Sequence, residues 1–136
     1  MEILLMASQY RHGAHAVYLA NYHLVWMPKR RKPVLVGEVK KRLEQIIKQV
    51  AQEKNWAILE LSVQPDHVHL FVSADTNVSI RDIANAFKGR SSHDLRKEFP
   101  HLLKLPSLWT HSYFASTAGH VSSETIRKYI EEQKTT

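Results

Sequence analysis

The chain has 136 residues, a length typical of a single domain that can bury a core without disulfides. Hydrophobic residues make up 43% of it and charged residues 24%, which argues against a disordered or fibrous protein. The absence of cysteine excludes disulfides, zinc–thiolate sites and thiol nucleophiles. No apolar run approaches the ~20 residues of a membrane span, so we expect a soluble, cytoplasmic protein with no membrane partner.

The charge of the chain favours a polyanionic partner. The net charge is +6 and the isoelectric point is about 9.7. Four consecutive cations, Lys29, Arg30, Arg31 and Lys32, directly follow an apolar stretch, where they could grip phosphates. Taken alone, that run is equally well interpreted as a solvated loop.

The first half of the chain predicts a strand followed by a helix. Residues 1–17 show no clear period and are predicted to be a tail or a short edge element. Residues 18–27 are rich in aromatic and β-branched side chains and predict a first strand that stops at Pro28. After Gly37, apolar residues recur at helical spacing as far as Val50, which predicts a long amphipathic helix.

The second half predicts two strands, a helix, a strand and a last helix. Residues 56–63 predict a strand, which Gln64-Pro65-Asp66 joins to the next strand as a hairpin. Ser79 is the predicted N-cap of a second amphipathic helix that runs to about Phe99. Residues 108–117 predict a fourth strand, and residues 121–136 hold a C-terminal helix preceded by a hinge at Gly119.

This order of elements is that of an α+β, ferredoxin-like split βαβ domain. Its antiparallel sheet carries helices packed on it, and the first strand and the third are the inner ones. The whole chain, 1–136, is therefore predicted to be one domain.

The third predicted strand carries two histidines one residue apart. Side chains alternate across a strand, so His67 and His69 point to one face and Val68, Leu70 and Val72 to the other, apolar face. Two imidazoles at i and i+2 form a compact clamp for a metal ion. On spacing alone, two histidines that only hydrogen-bond are an equally good interpretation.

Other residues near these elements have competing interpretations. Asp66 is a turn residue or an outer carboxylate beside a metal, and the turn is favoured. For His23 and His111, packing or ordinary hydrogen bonding is favoured over a place at the border of the site. Tyr129 and Gln133 lie one helical turn apart, so a phenol and an amide share one helix face.

The predicted second helix has a basic face that Gly89 interrupts, where a backbone or a ligand could approach closely. That face could track a nucleic-acid backbone, or it is a solvated surface with a tolerated glycine. Its cations are Arg81, Lys88, Arg90, Arg96 and Lys97.

An ordered set of short motifs supports a more specific interpretation. The motifs are Tyr22-His23-Leu24-Val25-Trp26, Pro65-Asp66-His67-Val68-His69-Leu70, Phe87-Lys88-Gly89, Leu108-Trp109 with Ser112-Tyr113-Phe114, and Tyr129-Ile130-Glu131-Glu132-Gln133. This set, which spans about residues 18–133, resembles the single-tyrosine HUH transposases of the insertion-sequence 200/605 type.

The resemblance implies a chemistry and assigns it to residues. His67, His69 and Gln133 would ligate a divalent metal, Mg²⁺ or Mn²⁺, and Tyr129 would be the nucleophile. Attack on a DNA phosphate would leave a 5′-phosphotyrosine and a free 3′-OH. The rival phenols Tyr18, Tyr22 and Tyr113 lie in or beside predicted strands, where packing is the favoured role.

The resemblance also implies partners. The substrate would be single-stranded DNA with hairpin-forming ends, and the protein would be nucleoid-associated when bound to it. The chain would form a homodimer in which a mobile C-terminal helix brings Tyr129 of one subunit to the histidines of the other. The candidates for contacts to DNA phosphates are Lys29, Arg30, Arg31, Lys88 and Arg90.

Three alternative functions remain open at this point. A rolling-circle nicking enzyme shares the histidine pair and the tyrosine, but usually carries further domains. A domesticated relative that processes chromosomal repeats would use the same chemistry. A non-catalytic nucleic-acid-binding module has no use for Tyr129 and Gln133 as a pair.

Overall fold

A computed structural model describes residues 19–117 and 123–132 of the chain; for residues 123–127 it describes the backbone only. The predicted tail 1–17, the hinge at Gly119 and the candidate ligand Gln133 lie outside the described residues. Short 3₁₀ helices span Lys29–Arg31 and Pro100–Lys104. The main elements are β1 (Leu19–Trp26), α1 (Gly37–Lys54), β2 (Ala57–Gln64), β3 (His67–Asp75), α2 (Ile80–Glu98), β4 (Phe114–Thr117) and α3 (Ser123–Glu132).

The four strands form one antiparallel sheet in the order β2-β3-β1-β4. The α+β split βαβ fold is therefore confirmed, with β1 and β3 as the inner strands. None of the helices in the described residues is both long and apolar enough to span a lipid bilayer.

One face of the sheet packs against α1 and α2. Alternate residues of the inner strands point into this core, and α1 and α2 add an apolar stripe each, because their hydrophobic residues recur at helical spacing. The fully buried core side chains include Leu24, Trp26, Leu43, Ile46, Ile47, Val68, Leu70, Val72, Ile83, Phe87 and Leu95.

The predicted limits of α2 are confirmed by its caps. The hydroxyl of Ser79 accepts a hydrogen bond from the backbone N–H of Asp82 at 3.0 Å, so it satisfies one of the free donors at the helix start. The helix ends at Glu98, with Phe99 as its C-cap.

Two sequence predictions about strand limits are wrong. The fourth strand covers only Phe114–Thr117, and the stretch before it makes a separate antiparallel bridge between Pro28 and Trp109, in which the Thr110 N–H donates to the Met27 carbonyl at 3.0 Å. The hairpin loop has two residues rather than three, because Gln64 pairs with His67 and leaves only Pro65 and Asp66 in the turn.

The second face of the sheet carries the histidines. His69 pairs with Val25 on β1, and Val25 pairs with Phe114 on β4. Residues directly opposite on neighbouring strands point to the same face, so this row runs across the sheet opposite the core. α3 lies over the β4 end of the row, where the Tyr129 ring is 5.6 Å from the Phe114 ring.

Candidate functional site

The histidine pair sits on β3 as the alternation predicts. His67 and His69 are half-buried on the second face, while Val68, Leu70 and Val72 are fully buried in the core. The two imidazoles therefore share one face of an inner strand, where His69 is paired with β1 and β2 and His67 with β2.

Asp66 orients His67. One carboxylate oxygen of Asp66 lies 2.9 Å from Nδ1 of His67, and the other lies 3.3 Å from Nε of Arg31. A carboxylate only accepts hydrogen bonds, so Nδ1 carries a proton, and the neutral form of the ring then has its lone pair on Nε2. A carboxylate that fixes a histidine tautomer in this way is typical of the surroundings of metal ligands. Both interpretations of Asp66 are thus compatible: it is a turn residue, and it hydrogen-bonds a candidate ligand.

His69 is held by a second histidine. Nδ1 of His23 lies 3.1 Å from Nε2 of His69, and the His23 ring stacks on Phe71 with centroids 4.1 Å apart. His23 is buried and contacts His69, so it packs and hydrogen-bonds as predicted, and it also lies at the border of the candidate site. Burial, followed by the neighbouring His23, lowers the pKa of His69. His69 is therefore neutral near pH 7, which is the form that binds a metal.

Tyr129 lies on the same face as the histidine pair. Its hydroxyl donates to the Ser112 hydroxyl at 3.4 Å, and its ring packs beside Phe114. Phe114 is two strands away from His69, which corresponds to about 10 Å across the sheet. Burial raises the pKa of Tyr129, and the hydrogen bond with Ser112 partly offsets this shift. The structure thus brings the phenol and the imidazoles to one surface within a single chain.

Lys88 anchors the loop that carries Ser112. Its ammonium donates to the carbonyl of Thr110 at 2.7 Å, and it also lies 3.3 Å and 3.4 Å from the carbonyls of His111 and Ser112. Burial lowers the pKa of Lys88. These contacts link α2 to Ser112, whose hydroxyl accepts the hydrogen bond from Tyr129. A contact between Lys88 and DNA stays a prediction.

The other candidate DNA contacts have different surroundings. The guanidinium of Arg90 pairs with both carboxylate oxygens of Glu53 at 3.1 Å and with Asp94 at 3.3 Å, so its charge is compensated within the chain. Arg30 is exposed and Lys29 is half-buried, both in the 3₁₀ turn after β1. Their contacts to phosphates, like those of Arg90, stay predictions.

Gly89 has no packing role among the described residues. It is exposed in the middle of α2, and a Cβ placed there would meet no atom within 4 Å. No backbone approaches it, so the other predicted reason for this glycine, a ligand, stays a prediction. A shallow pocket of about 310 Å³ lies beside it, lined in part by Asn85, Ser92 and His111.

The donor chemistry of the site fits a divalent metal in part. Within 19–117 and 123–132, no three His, Asp or Glu side chains are grouped so as to hold an ion. The described residues offer two imidazoles, one of which is oriented by a carboxylate and one of which is kept neutral. A further donor such as Gln133 is required. Nitrogen donors favour Mn²⁺, Co²⁺ or Zn²⁺ over Mg²⁺.

Sequence reasoning missed three contacts of this site. They are the hydrogen bond from Tyr129 to Ser112, the hydrogen bonds from Lys88 to carbonyls of the loop before β4, and the contact of Arg31 with the carbonyl of Ile130. Ser112 and Lys88 both occur in the motifs that carry the resemblance, but no periodicity or spacing indicates which atoms they meet. Each contact joins elements that are far apart in the chain.

Comparison with known proteins places the chain among transposases. The sequence model of the family described as "Transposase IS200 like" matches residues 16–133. The ISDra2 transposase TnpA of Deinococcus radiodurans is 35% identical over 136 residues, which cover 98% of this chain and 97% of the relative. The transposase for insertion sequence element IS200 of Salmonella typhimurium is 28% identical, over 88% of this chain and 80% of the relative.

Solved structures agree with this placement. A crystal structure of a transposase candidate from Deinococcus radiodurans R1 superposes with a TM-score of 0.81 at 37% identity, over 90% of this chain and 97% of that one. A REP-associated tyrosine transposase bound to a REP hairpin superposes with a TM-score of 0.52 at 15% identity, over 88% of this chain and 67% of that one. The second likeness is one of fold alone.

Proposed function

Because the chain belongs to the IS200/605 family of transposases, we propose that it cleaves and rejoins single-stranded DNA through a covalent intermediate on Tyr129. The observation that carries this proposal is the position of the Tyr129 phenol on the same sheet face as His67 and His69. A non-catalytic binding module gives no reason for a half-buried phenol on the same sheet face as two hydrogen-bonded imidazoles.

The reaction is a pair of phosphoryl transfers. The Tyr129 oxygen attacks phosphorus in line with the leaving 3′ oxygen, so the P–O(Tyr) bond forms as the P–O3′ bond breaks. The phenol loses its proton, and the 3′ oxygen leaves as a 3′-OH after gaining one. Attack of a 3′-OH on the phosphotyrosine reverses these changes and rejoins DNA. One phosphodiester replaces another, so no ATP is required.

His67 and His69, together with Gln133, would hold a divalent metal. When bound, such an ion offsets negative charge on the phosphate oxygens as the transition state forms. The contributions of the chain itself are visible in the described contacts. Asp66 leaves Nε2 of His67 available, and burial keeps His69 neutral.

The surroundings of Tyr129 orient its oxygen more than they activate it. Burial raises the pKa of the phenol, so little phenolate exists near neutrality. The Ser112 hydroxyl accepts the phenolic hydrogen at 3.4 Å and fixes the direction of the O–H bond. The rate of attack is therefore set by the small phenolate fraction, and it rises with pH.

The proposed substrate has hairpin-forming ends, and the proposed assembly is a homodimer. The REP-associated relative was solved on a REP hairpin, and a hairpin at an element end is the corresponding substrate for this chain. In the dimer, α3 can serve the histidines of either subunit. If α3 serves the histidines of the partner subunit, mixing Tyr129→Phe chains with His67→Ala chains restores activity. If α3 serves its own chain, as it docks here, the mixture stays inert.

A denaturing gel tests the proposal. The oligonucleotide comes from the DNA flanking the reading frame and is labelled at its 3′ end, because the phosphotyrosine retains the downstream fragment. Wild-type protein with Mn²⁺ should give a labelled covalent adduct, and Tyr129→Phe should give none. Tyr113→Phe is the matched control and should retain the adduct. An adduct that survives Tyr129→Phe, or DNA binding without an adduct, would overturn the assignment.

A further inference from the structure

Arg31 contacts both halves of the candidate site. Its Nε lies 3.3 Å from Oδ2 of Asp66, the carboxylate that orients His67. Its Nη1 donates to the carbonyl of Ile130, the residue after Tyr129, at 3.4 Å. The side chain is only 25% exposed, so these contacts are partly shielded from water. One guanidinium thus bridges the histidine strand and the tyrosine helix.

The backbone that presents this side chain is unusual. Arg30 and Arg31 have φ angles of 56° and 52°, in the left-handed region that non-glycine residues avoid. A side chain in this region crowds its own backbone, so each such residue is strained. The turn is fixed by hydrogen bonds, among them those from the Arg31 N–H to the Pro28 carbonyl at 2.8 Å and from the Lys29 N–H to the Leu108 carbonyl at 2.8 Å. A long side chain on a solvated loop could reach DNA phosphates without this strain.

Ile130 directly follows Tyr129 on α3, so a hydrogen bond to its carbonyl fixes the backbone next to the candidate nucleophile. Most of the stability of a helix in a protein comes from its packing on other elements, so contacts of this kind help to determine where α3 docks.

We propose that Arg31 is a positioning residue that docks α3, and with it Tyr129, against the Asp66 carboxylate beside His67. The role rests on the proposed function and replaces the predicted contact of Arg31 with DNA. Nε and Nη1 are fixed in one rigid plane, so a guanidinium can bind the carboxylate and the carbonyl together. A lysine keeps the charge but has a single ammonium.

The test compares two glycine substitutions. Arg31→Gly and Arg30→Gly remove the same charge, and both relax a left-handed backbone, so both chains should fold. Only the first removes the bridge to α3. We measure amide hydrogen exchange of α3, affinity for the single-stranded oligonucleotide, and the rate of covalent adduct formation at saturating DNA.

Arg31→Gly should speed exchange in α3 and slow adduct formation by about tenfold or more, the size expected for losing a charged hydrogen bond. Its affinity for DNA should fall no further than that of Arg30→Gly, because Arg30 remains a candidate phosphate contact while Asp66 and Ile130 hold the Arg31 guanidinium. Arg31→Lys should leave exchange and rate closer to Arg31→Gly than to wild type. Unchanged exchange in Arg31→Gly, or a loss confined to DNA affinity, would overturn the proposal and assign Arg31 to phosphate binding.

Failure of the proposed function can be told apart from failure of this inference. If Tyr129 were not the nucleophile, wild-type protein would give no adduct that depends on Tyr129. The exchange measurement needs neither DNA nor turnover, so it decides whether Arg31 docks α3 in either case.

Discussion

Replacing Asp66 with asparagine is expected to weaken metal binding at the histidine pair by about 10–100-fold, the usual effect of losing a group that orients a ligand. The contact of 2.9 Å between Asp66 and Nδ1 of His67 is only partly exposed, with side-chain exposures of 29% and 20%. An asparagine amide can present its oxygen, which makes a weaker hydrogen bond because it is uncharged, or its NH₂ group, which cannot accept a hydrogen bond from Nδ1.

The assay is a calorimetric titration of the protein with Mn²⁺, and the chain offers a matched control. Asp94 also contacts the histidine beside it in sequence, with 3.1 Å between Oδ1 and Nδ1 of His93, but it lies on α2. Asp94→Asn should leave the Mn²⁺ affinity unchanged. An equal loss of affinity in both variants, or no loss in Asp66→Asn, would refute the reasoning that Asp66 orients a ligand.

Three further predictions follow from the described contacts. Gly89→Ala should raise the free energy of unfolding by about 0.5–1 kcal/mol, because alanine favours a helix and the new methyl group meets no atom within 4 Å. A thermal denaturation curve checks this, and a lower midpoint would contradict it. Adduct formation at saturating DNA should rise through pH 6–9, because the raised pKa of Tyr129 keeps the phenol protonated there, and a rate that falls with pH would contradict this. Lys88→Met should lower the free energy of unfolding by about 1–3 kcal/mol, because carbonyls of the loop before β4 lose their donor. Urea denaturation measures this, and an unchanged midpoint would show that the hydrogen bonds of Lys88 do not stabilise the fold.

The fold was predictable because local patterns agree with the tertiary structure. The alternation of His67 and His69 with buried Val68 and Leu70 fixes which face of β3 enters the core. Helical spacing and the Ser79 cap likewise defined α2. These signals depend only on neighbours within one element, so the sequence carries them directly.

The start of β4 was not predictable in the same way. Residues 108–112 have the composition of a strand, but within them only Trp109 makes a β-bridge, with Pro28. The ammonium of Lys88 on α2 then binds the carbonyls of residues 110–112. Tertiary contacts therefore interrupt the predicted strand between this bridge and β4.

The candidate site was predictable in its chemical groups and not in its contacts. The cationic run at Arg31 has the composition of a phosphate-binding loop, so sequence reasoning assigned it to DNA. Its positive φ angle and its contacts with Asp66 and Ile130 depend on where β3 and α3 meet the turn. No spacing in the sequence predicts that β3, α3 and the turn at Arg31 contact one another.

The most direct measurement of the central claim is tandem mass spectrometry of the covalent complex after nuclease digestion of its DNA. The account predicts a phosphonucleotide on Tyr129, in wild-type protein and in Tyr113→Phe alike. A phosphonucleotide on any other residue, or a complex without one, would contradict it.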